Sequence, residues 1–317
     1  MSALFVAPNI FYLHKMWYII GESGEPVFDS VAIIGGDKRQ IYCAKAFLDD
    51  GMKVTLCGFD NLRSDCDIKT AAPIEGALYN DLIVLPLPCV KGNMINAPFS
   101  SEGIELDGVL LSALSDKKIF CGQKEKLLSI APQLNSDLIY DYSIREEFAI
   151  YNAVATAEGA LEIAMREYEG TISHCRVLVC GYGRIGKVLC DMLISLNADV
   201  TVSARKQSDF AWISTRKCKC VHTGDLVRLS PFDIIFNTVP SLVFDSFVLS
   251  HIAKDALVID LASVPGGVDF EAASRMGISI VHALSLPGKA APKTAGKIIK
   301  NTISNILEED GRCQKLA

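Results

Sequence analysis

Short apolar runs alternate along the chain with stretches of helical periodicity. Residues 31–34 (Val-Ala-Ile-Ile) pass into Gly35-Gly36-Asp37-Lys38-Arg39-Gln40, a helical pattern reaching Asp50, and a second run, Lys53-Val-Thr-Leu-Cys57. The order returns later as Arg176-Val-Leu-Val-Cys180, Gly181-Tyr182-Gly183-Arg184-Ile185-Gly186, a helical pattern, and Ala198-Asp-Val-Thr-Val-Ser-Ala204. Apolar runs of this length, bounded by turn residues and separated by helical segments, predict βαβ units and therefore parallel sheets. The spacing from Gly35 to Val54 equals that from Gly181 to Val200, so the unit occurs twice in tandem.

Further strands are expected at 81–88, 118–122 and 137–141 in the first half, and at 232–241, 256–263 and 277–283 in the second. A helix is expected from Ile150 to Met165, a Gly/Pro-rich loop over 286–296, and a last helix over 297–309. The fold class that results is α/β, with two tandem doubly wound parallel-sheet domains and a cleft between them. Residues 29–150 would form a flavodoxin/Rossmann-like N-terminal substrate domain and residues 151–291 a Rossmann dinucleotide-binding domain. A C-terminal helix within 292–310 would pack back on the first domain, and residues 1–28 would be an arm or extension.

Composition narrows the picture. The chain has 317 residues, half of them hydrophobic, enough for two buried cores. Its net charge of −6 comes without a basic stripe, so nucleic acid is not an expected partner. No apolar stretch has the length of a membrane span. Residues 1–28 are apolar and aromatic but are interrupted by Asn9, His14 and Lys15, without a leading basic region or a small-residue cleavage pattern. They are read as an ordered arm or as a translated extension before a start at Met16, not as a signal peptide. Eleven cysteines are scattered, with Cys57 and Cys180 on strands and Cys43 and Cys190 on helices, as in a cytoplasmic protein with reduced core thiols. Cys218 and Cys220 lack a second ligand pair, so no metal site is expected.

The glycine motif supplies the first chemistry. After a strand and before a helix, Gly181 permits a tight turn, Gly183 lets backbone approach a pyrophosphate, and Gly186 lets helix and strand pack closely. Tyr182, Arg184 and Ile185 complete that turn, and Thr238-Val239-Pro240 lie at the carboxyl end of a neighbouring strand, where open α/β sheets bind ligands. The second strand ends Ser203-Ala204-Arg205-Lys206, where an NAD site would carry an acid. A hydroxyl and two cations suit a 2′-phosphate, so NADP is expected in preference to NAD. In the first copy Asp37 and Gln40 replace the second and third glycines and would exclude a pyrophosphate. That loop is read instead as a substrate site using Asp37, Arg39 and Gln40. Asn152, Thr156 and Glu158, on the helix entering the cleft, and Lys293 and Thr294, before the last helix, complete the substrate candidates.

Taken together, Gly35-Gly-Asp-Lys-Arg-Gln40, Tyr151-Asn-Ala-Val-Ala-Thr-Ala-Glu-Gly159, Gly181-Tyr-Gly-Arg-Ile-Gly186, Asp260-Leu-Ala-Ser-Val-Pro-Gly-Gly-Val-Asp-Phe270 and Leu286-Pro-Gly-Lys-Ala-Ala-Pro-Lys-Thr-Ala-Gly296 resemble the family of the dipicolinate synthase A subunit. The resemblance runs from about Val31 to about Leu307. It implies a sporulation enzyme of the mother-cell cytoplasm that uses NADP and works with a flavoprotein-like B subunit. The reaction implied is oxidation of dihydrodipicolinate, or its hydrated precursor, to dipicolinate. Arg39 and Lys293 would hold the two carboxylates, and Asp37, Glu158 and Lys293 are the groups available to move protons. A homo-oligomer is the expected assembly.

Two other readings stand beside this one. A D-2-hydroxyacid dehydrogenase shares the two-domain plan but needs a catalytic histidine where Gly288 stands and an arginine near Ala262-Ser263. A non-catalytic NADP-binding protein would hold the cofactor without turning it over.

Overall fold

The computed structural model describes residues 28–62, 74–216, 218–228, 231–263 and 265–316. All but the last residue of the expected arm at 1–28 lies outside that set. The chain divides into two compact units. The first holds the described residues up to Gly36, then Ala44–Tyr142 and the described residues from Lys300 onward; the second holds Asp37–Cys43 and Ser143–Ile299. No helix among the described residues is long and apolar enough to cross a membrane.

The first unit begins with β1 (Ser30–Ile34), the later turns of α1 (Lys38–Asp49, whose residues up to Cys43 belong to the second unit), β2 (Lys53–Cys57), α2 (Ile74–Ala77) and β3 (Leu82–Val84). Three two-residue strands follow, β4 (Val90–Lys91), β5 (Met94–Ile95) and β6 (Ile104–Glu105), and then α3 (Gly108–Leu114), β7 (Lys118–Cys121), α4 (Lys124–Ile130) and β8 (Ile139–Asp141). The main sheet is parallel in the order β2-β1-β3-β7-β8, so connections run outward on both sides of β1. Val31, Ala32, Ile33 and Ile34 on β1 are fully buried, as befits a central strand covered on both faces.

The antiparallel ribbon β4-β5-β6 has no counterpart among the elements expected from sequence. Strands of two residues are too short to show alternation, and the one local signal is the Gly92-Asn93 turn between Lys91 and Met94. The strand expected at 81–88 shrinks to Leu82–Val84 because the following prolines cannot donate to a ladder. The strand expected from Asp137 starts at Ile139, since Asn135 accepts from the Asp137 amide at 3.0 Å and holds a 3-10 turn ahead of it.

The second unit runs through α5 (Glu146–Glu167), β9 (Arg176–Cys180), α6 (Arg184–Ser195), β10 (Asp199–Ala204), α7 (Gln207–Thr215) and β11 (Lys219–His222). It continues with β12 (Ile234–Asn237), α8 (Ser246–Leu249), β13 (Leu257–Asp260), α9 (Phe270–Met276), β14 (Ile280–His282), α10 (Leu286–Ala290) and α11 (Pro292–Leu316), whose last turns, from Lys300, belong to the first unit. Its parallel sheet has the order β11-β10-β9-β12-β13-β14, the doubly wound dinucleotide-binding arrangement with its reversal between β9 and β12. The stretch expected as a loop over 286–296 is mostly helical. Pro287 and Pro292 stand in first turns, where the missing N–H costs nothing, so these prolines start helices instead of breaking them.

At the amino edge of this sheet Arg176 and Asp233 join β9 to the start of β12. Asp233 Oδ2 accepts from the Arg176 amide at 2.8 Å and from its Nε at 3.1 Å. The guanidinium holds the Asp233 carboxyl below the ordinary aspartate value of 3.8. A depressed folded-state pKa contributes stability that is present above the ordinary value and lost as pH falls through the lowered one. Asp233→Asn is therefore expected to melt a little below the parent at pH 7, with the gap closing on acidification below about pH 4. Parallel thermal melts from pH 7 to pH 3 check this, and a gap that widens in acid would contradict it.

Candidate functional site

The glycine turn between β9 and α6 has three distinct constraints. Gly181 has φ +96°, and a side chain there would meet Thr238 Oγ1 at 2.5 Å and Val239 Cγ2 at 2.8 Å. A Cβ on Gly186 would land on the carbonyl group of Gly181, whose carbon would be 3.1 Å away. Gly183 differs from both, because an added Cβ there meets nothing within 4 Å. Open space at Gly183 borders the start of α6, where no side chain caps the helix. Uncapped first-turn N–H groups beside an open approach form an anion cradle, so the residues present fit a dinucleotide pyrophosphate.

The remaining motif residues frame this cradle. Arg184 Nε lies 3.2 Å from Glu146 Oε1 near the start of α5, and Ile185 packs on the core. Tyr182 is buried, and its hydroxyl has no hydrogen-bond partner among the described residues. Burial raises the pKa of that phenol, and its ring lies beneath Lys187 and Arg216.

At the end of β10 the candidates separate. Arg205 and Lys206 are exposed just beyond the strand, whereas Ser203 is fully buried. Its Oγ donates to Cys180 Sγ at 3.2 Å and accepts from Thr223 Oγ1 at 3.4 Å. β10 is buried from Val200 through Ala204, so this hydroxyl serves the interior, whereas the two cations beyond the strand are exposed. The neighbouring thiol of Cys180 is pushed up to about 11, chiefly by burial. Thr238 Oγ1 donates to Cys180 O at 2.9 Å, which fixes the Thr238-Val239-Pro240 segment against the glycine turn.

The second cluster forms around the start of α1. Asp37 Oδ1 accepts from the Arg39 amide at 2.9 Å while Gln40 Oε1 accepts from the Asp37 amide at 3.0 Å, a reciprocal helix cap. Arg39 Nε donates to both Asp37 oxygens, at 2.9 and 3.1 Å, and Nη2 donates to Oδ2 at 2.9 Å. Both Asp37 oxygens are thus engaged, which suits an anchor for Arg39 better than a proton carrier. Gln40 is fully buried, and its Nε2 lacks a partner among the described residues.

Two glycines bring the far motif to this cluster. A Cβ on Gly288 in α10 would stand 3.2 Å from both Arg39 Nε and Asp37 Oδ2. One on Gly296 in α11 would stand 2.6 Å from Tyr42 Cβ and 2.7 Å from the Cys43 amide nitrogen. In sequence these glycines look like ordinary loop residues; their one signal is their place within the most distinctive motif. Lys293 is exposed one turn before Gly296, and residues three apart share a helix face. Thr294 beside it is half-buried.

Helix α5 contributes less than expected. Asn152 Nδ2 donates to Phe148 O at 3.0 Å and Thr156 Oγ1 to Asn152 O at 2.8 Å, so these groups are spent within the helix. Glu158 is exposed, next to Gly159, whose closeness to Ala290 and Leu286 seats α5 against α10. Among the described residues no three His, Cys, Asp or Glu side chains gather as metal ligands.

Comparison with known proteins follows both halves of the chain. Residues 30–139 match the family model for the N-terminal domain of the dipicolinate synthase A subunit. Over 285 residues the chain is 34% identical to the dipicolinate synthase A subunit of Bacillus subtilis (strain 168), covering 88% of this chain and 96% of that protein. The crystal structure of the dipicolinate synthase A subunit from Bacillus halodurans is similar at TM-score 0.77 and 30% identity, over 88% of this chain and 97% of that one. A transhydrogenase from Sinorhizobium meliloti, at TM-score 0.65 and 14% identity over 88% of this chain and 93% of that one, shares the fold alone.

Proposed function

Because the chain belongs to the family of the dipicolinate synthase A subunit, we propose that it is an NADP-dependent oxidoreductase that converts dihydrodipicolinate, or its hydrated precursor, to dipicolinate (pyridine-2,6-dicarboxylate). The observation that carries this reading is the meeting of the Asp37-Lys-Arg-Gln40 and Leu286–Gly296 motifs within the unit that also holds the uncapped glycine turn. Acting in sporulation, in the mother-cell cytoplasm, as a homo-oligomer and with a flavoprotein-like B subunit, belongs to the same proposal.

NADP supplies the hydride acceptor. The chain's own residues hold and orient: Gly183 and the first turn of α6 take the pyrophosphate, and Arg205 and Lys206 the 2′-phosphate. Arg39, braced by Asp37, and Lys293 take the substrate carboxylates. The dihydro ring loses a hydride and one proton on becoming a pyridine, and Glu158 or Lys293 receives that proton. From a hydrated precursor, the same group first protonates the departing hydroxyl and then takes up the neighbouring ring C–H proton, so that water leaves and a ring double bond forms. The catalytic histidine that a D-2-hydroxyacid dehydrogenase would require is replaced by Gly288, and a side chain there would crowd Arg39 and Asp37.

The test is dipicolinate formation from freshly generated precursor, with NADP or NAD, in the presence and absence of the B subunit. Absence of turnover in every combination would reduce the chain to a cofactor-binding protein. NADP is expected to bind more tightly than NAD, each charge-assisted bond to the 2′-phosphate being worth about 1.5–3 kcal/mol. Calorimetry is expected to give one nucleotide per chain and a smaller cofactor gap in Arg205→Ala. Equal affinities in the parent would remove the NADP assignment, and two bound nucleotides would overturn the substrate reading of the Gly35-Gly36 loop.

A further inference from the structure

The carboxyl ends of β12 and β13 carry two buried polar side chains that neither phosphate binding nor proton transfer uses. Asn237 and Asp260 are both fully buried. Asn237 Nδ2 donates to Asp260 Oδ1 at 2.8 Å and to Val239 O at 3.1 Å, while its Oδ1 accepts from the Val239 amide at 3.2 Å. Asp260 Oδ1 also accepts from the Ala262 amide at 3.2 Å, and Oδ2 from the Gly267 amide at 3.4 Å.

Burying an amide and a carboxyl together is costly unless every polar atom finds a partner, and here those partners belong to two loops. The second loop is shaped to the pair. Gly266 has φ +90°, and a Cβ there would lie 3.3 Å from Asp260 Oδ2. A Cβ on Gly267 would collide with the Asn237 side-chain amide and stand 2.5 Å from Val239 O. The first loop in turn touches the cofactor cradle, because Thr238 Oγ1 and Val239 Cγ2 are the atoms that crowd Gly181. A continuous run of contacts therefore leads from Asp260 through Asn237 and Val239 to Gly181.

We infer that Asp260 is a positioning residue that, through Asn237, sets the Val239 segment against the glycine turn and so tunes dinucleotide affinity. The inference rests on the dinucleotide reading of that turn. Asp260→Asn keeps the shape of the side chain but turns a donor toward one of the two backbone amides, so the relay loosens while the core stays filled. Asn80→Ala is the comparator, since Asn80 is a buried amide of the other unit whose hydrogen bonds go to Thr55 and to its own turn.

The full chain and both variants are titrated with NADPH by fluorescence, and their thermal midpoints are recorded. Asp260→Asn is expected to weaken NADPH binding about tenfold, and Asn80→Ala to leave it unchanged, both remaining folded at the titration temperature. Asp260→Asn binding NADPH as the parent does would overturn the inference and leave the cofactor assignment intact. Should Asp260→Asn not fold, Asn237→Ser carries the same expectation, with parent-like affinity again decisive against the relay. A parent chain that binds no NADPH would overturn the cofactor reading and the inference with it.

Discussion

Gly186→Ala is expected to weaken NADPH binding by at least about a hundredfold, roughly 2.7 kcal/mol, and to lower the melting temperature as well. The added methyl group falls on the carbonyl of Gly181, which is backbone and cannot rotate away as a long side chain would. The start of α6 must retreat from β9, and the uncapped amides move out of register with the pyrophosphate. Gly183→Ala is the matched comparison, because a Cβ there meets nothing within 4 Å. It is expected to melt like the parent and still bind NADPH poorly, since the methyl group occupies the approach that the phosphates need. Titrations at matched folded fraction separate the two. A Gly183→Ala variant with parent affinity would show that the open space beside α6 is not the cofactor's.

Lys293→Ala is expected to keep the parent's melting temperature and NADPH affinity while kcat/KM falls roughly a hundredfold. Lys293 is exposed in the first turn of a long helix, so its removal costs the fold nothing that packing shows. That position is also electrostatically poor for a cation, because the helix dipole is positive there, unless an anion is shared between the ammonium and the helix end. A dicarboxylate held between Lys293 and Arg39 is such an anion. Steady-state kinetics of dipicolinate formation decide the matter. Parent-like kcat and KM would make Lys293 a surface charge and would require the carboxylate clamp to be rebuilt around Arg39 alone.

The chain's own pattern determined the two parallel sheets, the βαβ duplication and the glycine turn. These follow from local rules: apolar runs of strand length, helical periodicity, and glycines at a turn where strand and helix must pack closely. The exposed place of Arg205 and Lys206 just beyond β10 is legible for the same reason, because spacing in the βαβ unit sets where that strand ends. Tertiary structure decided what local patterns cannot carry. Ser203 belongs with those cations in sequence, but β10 is covered on both faces and buries it against Cys180 and Thr223. Pro287 and Pro292 have the composition of a loop, and in space they begin helices. Asp37 and Gln40 stand where a phosphate loop would need glycines, and in space they cap α1 and brace Arg39. That Gly288 and Gly296 would close on Arg39 from roughly 250 residues away along the chain is a matter of long-range packing. No periodicity encodes it, because the requirement is the absence of a side chain at a place only the folded chain defines.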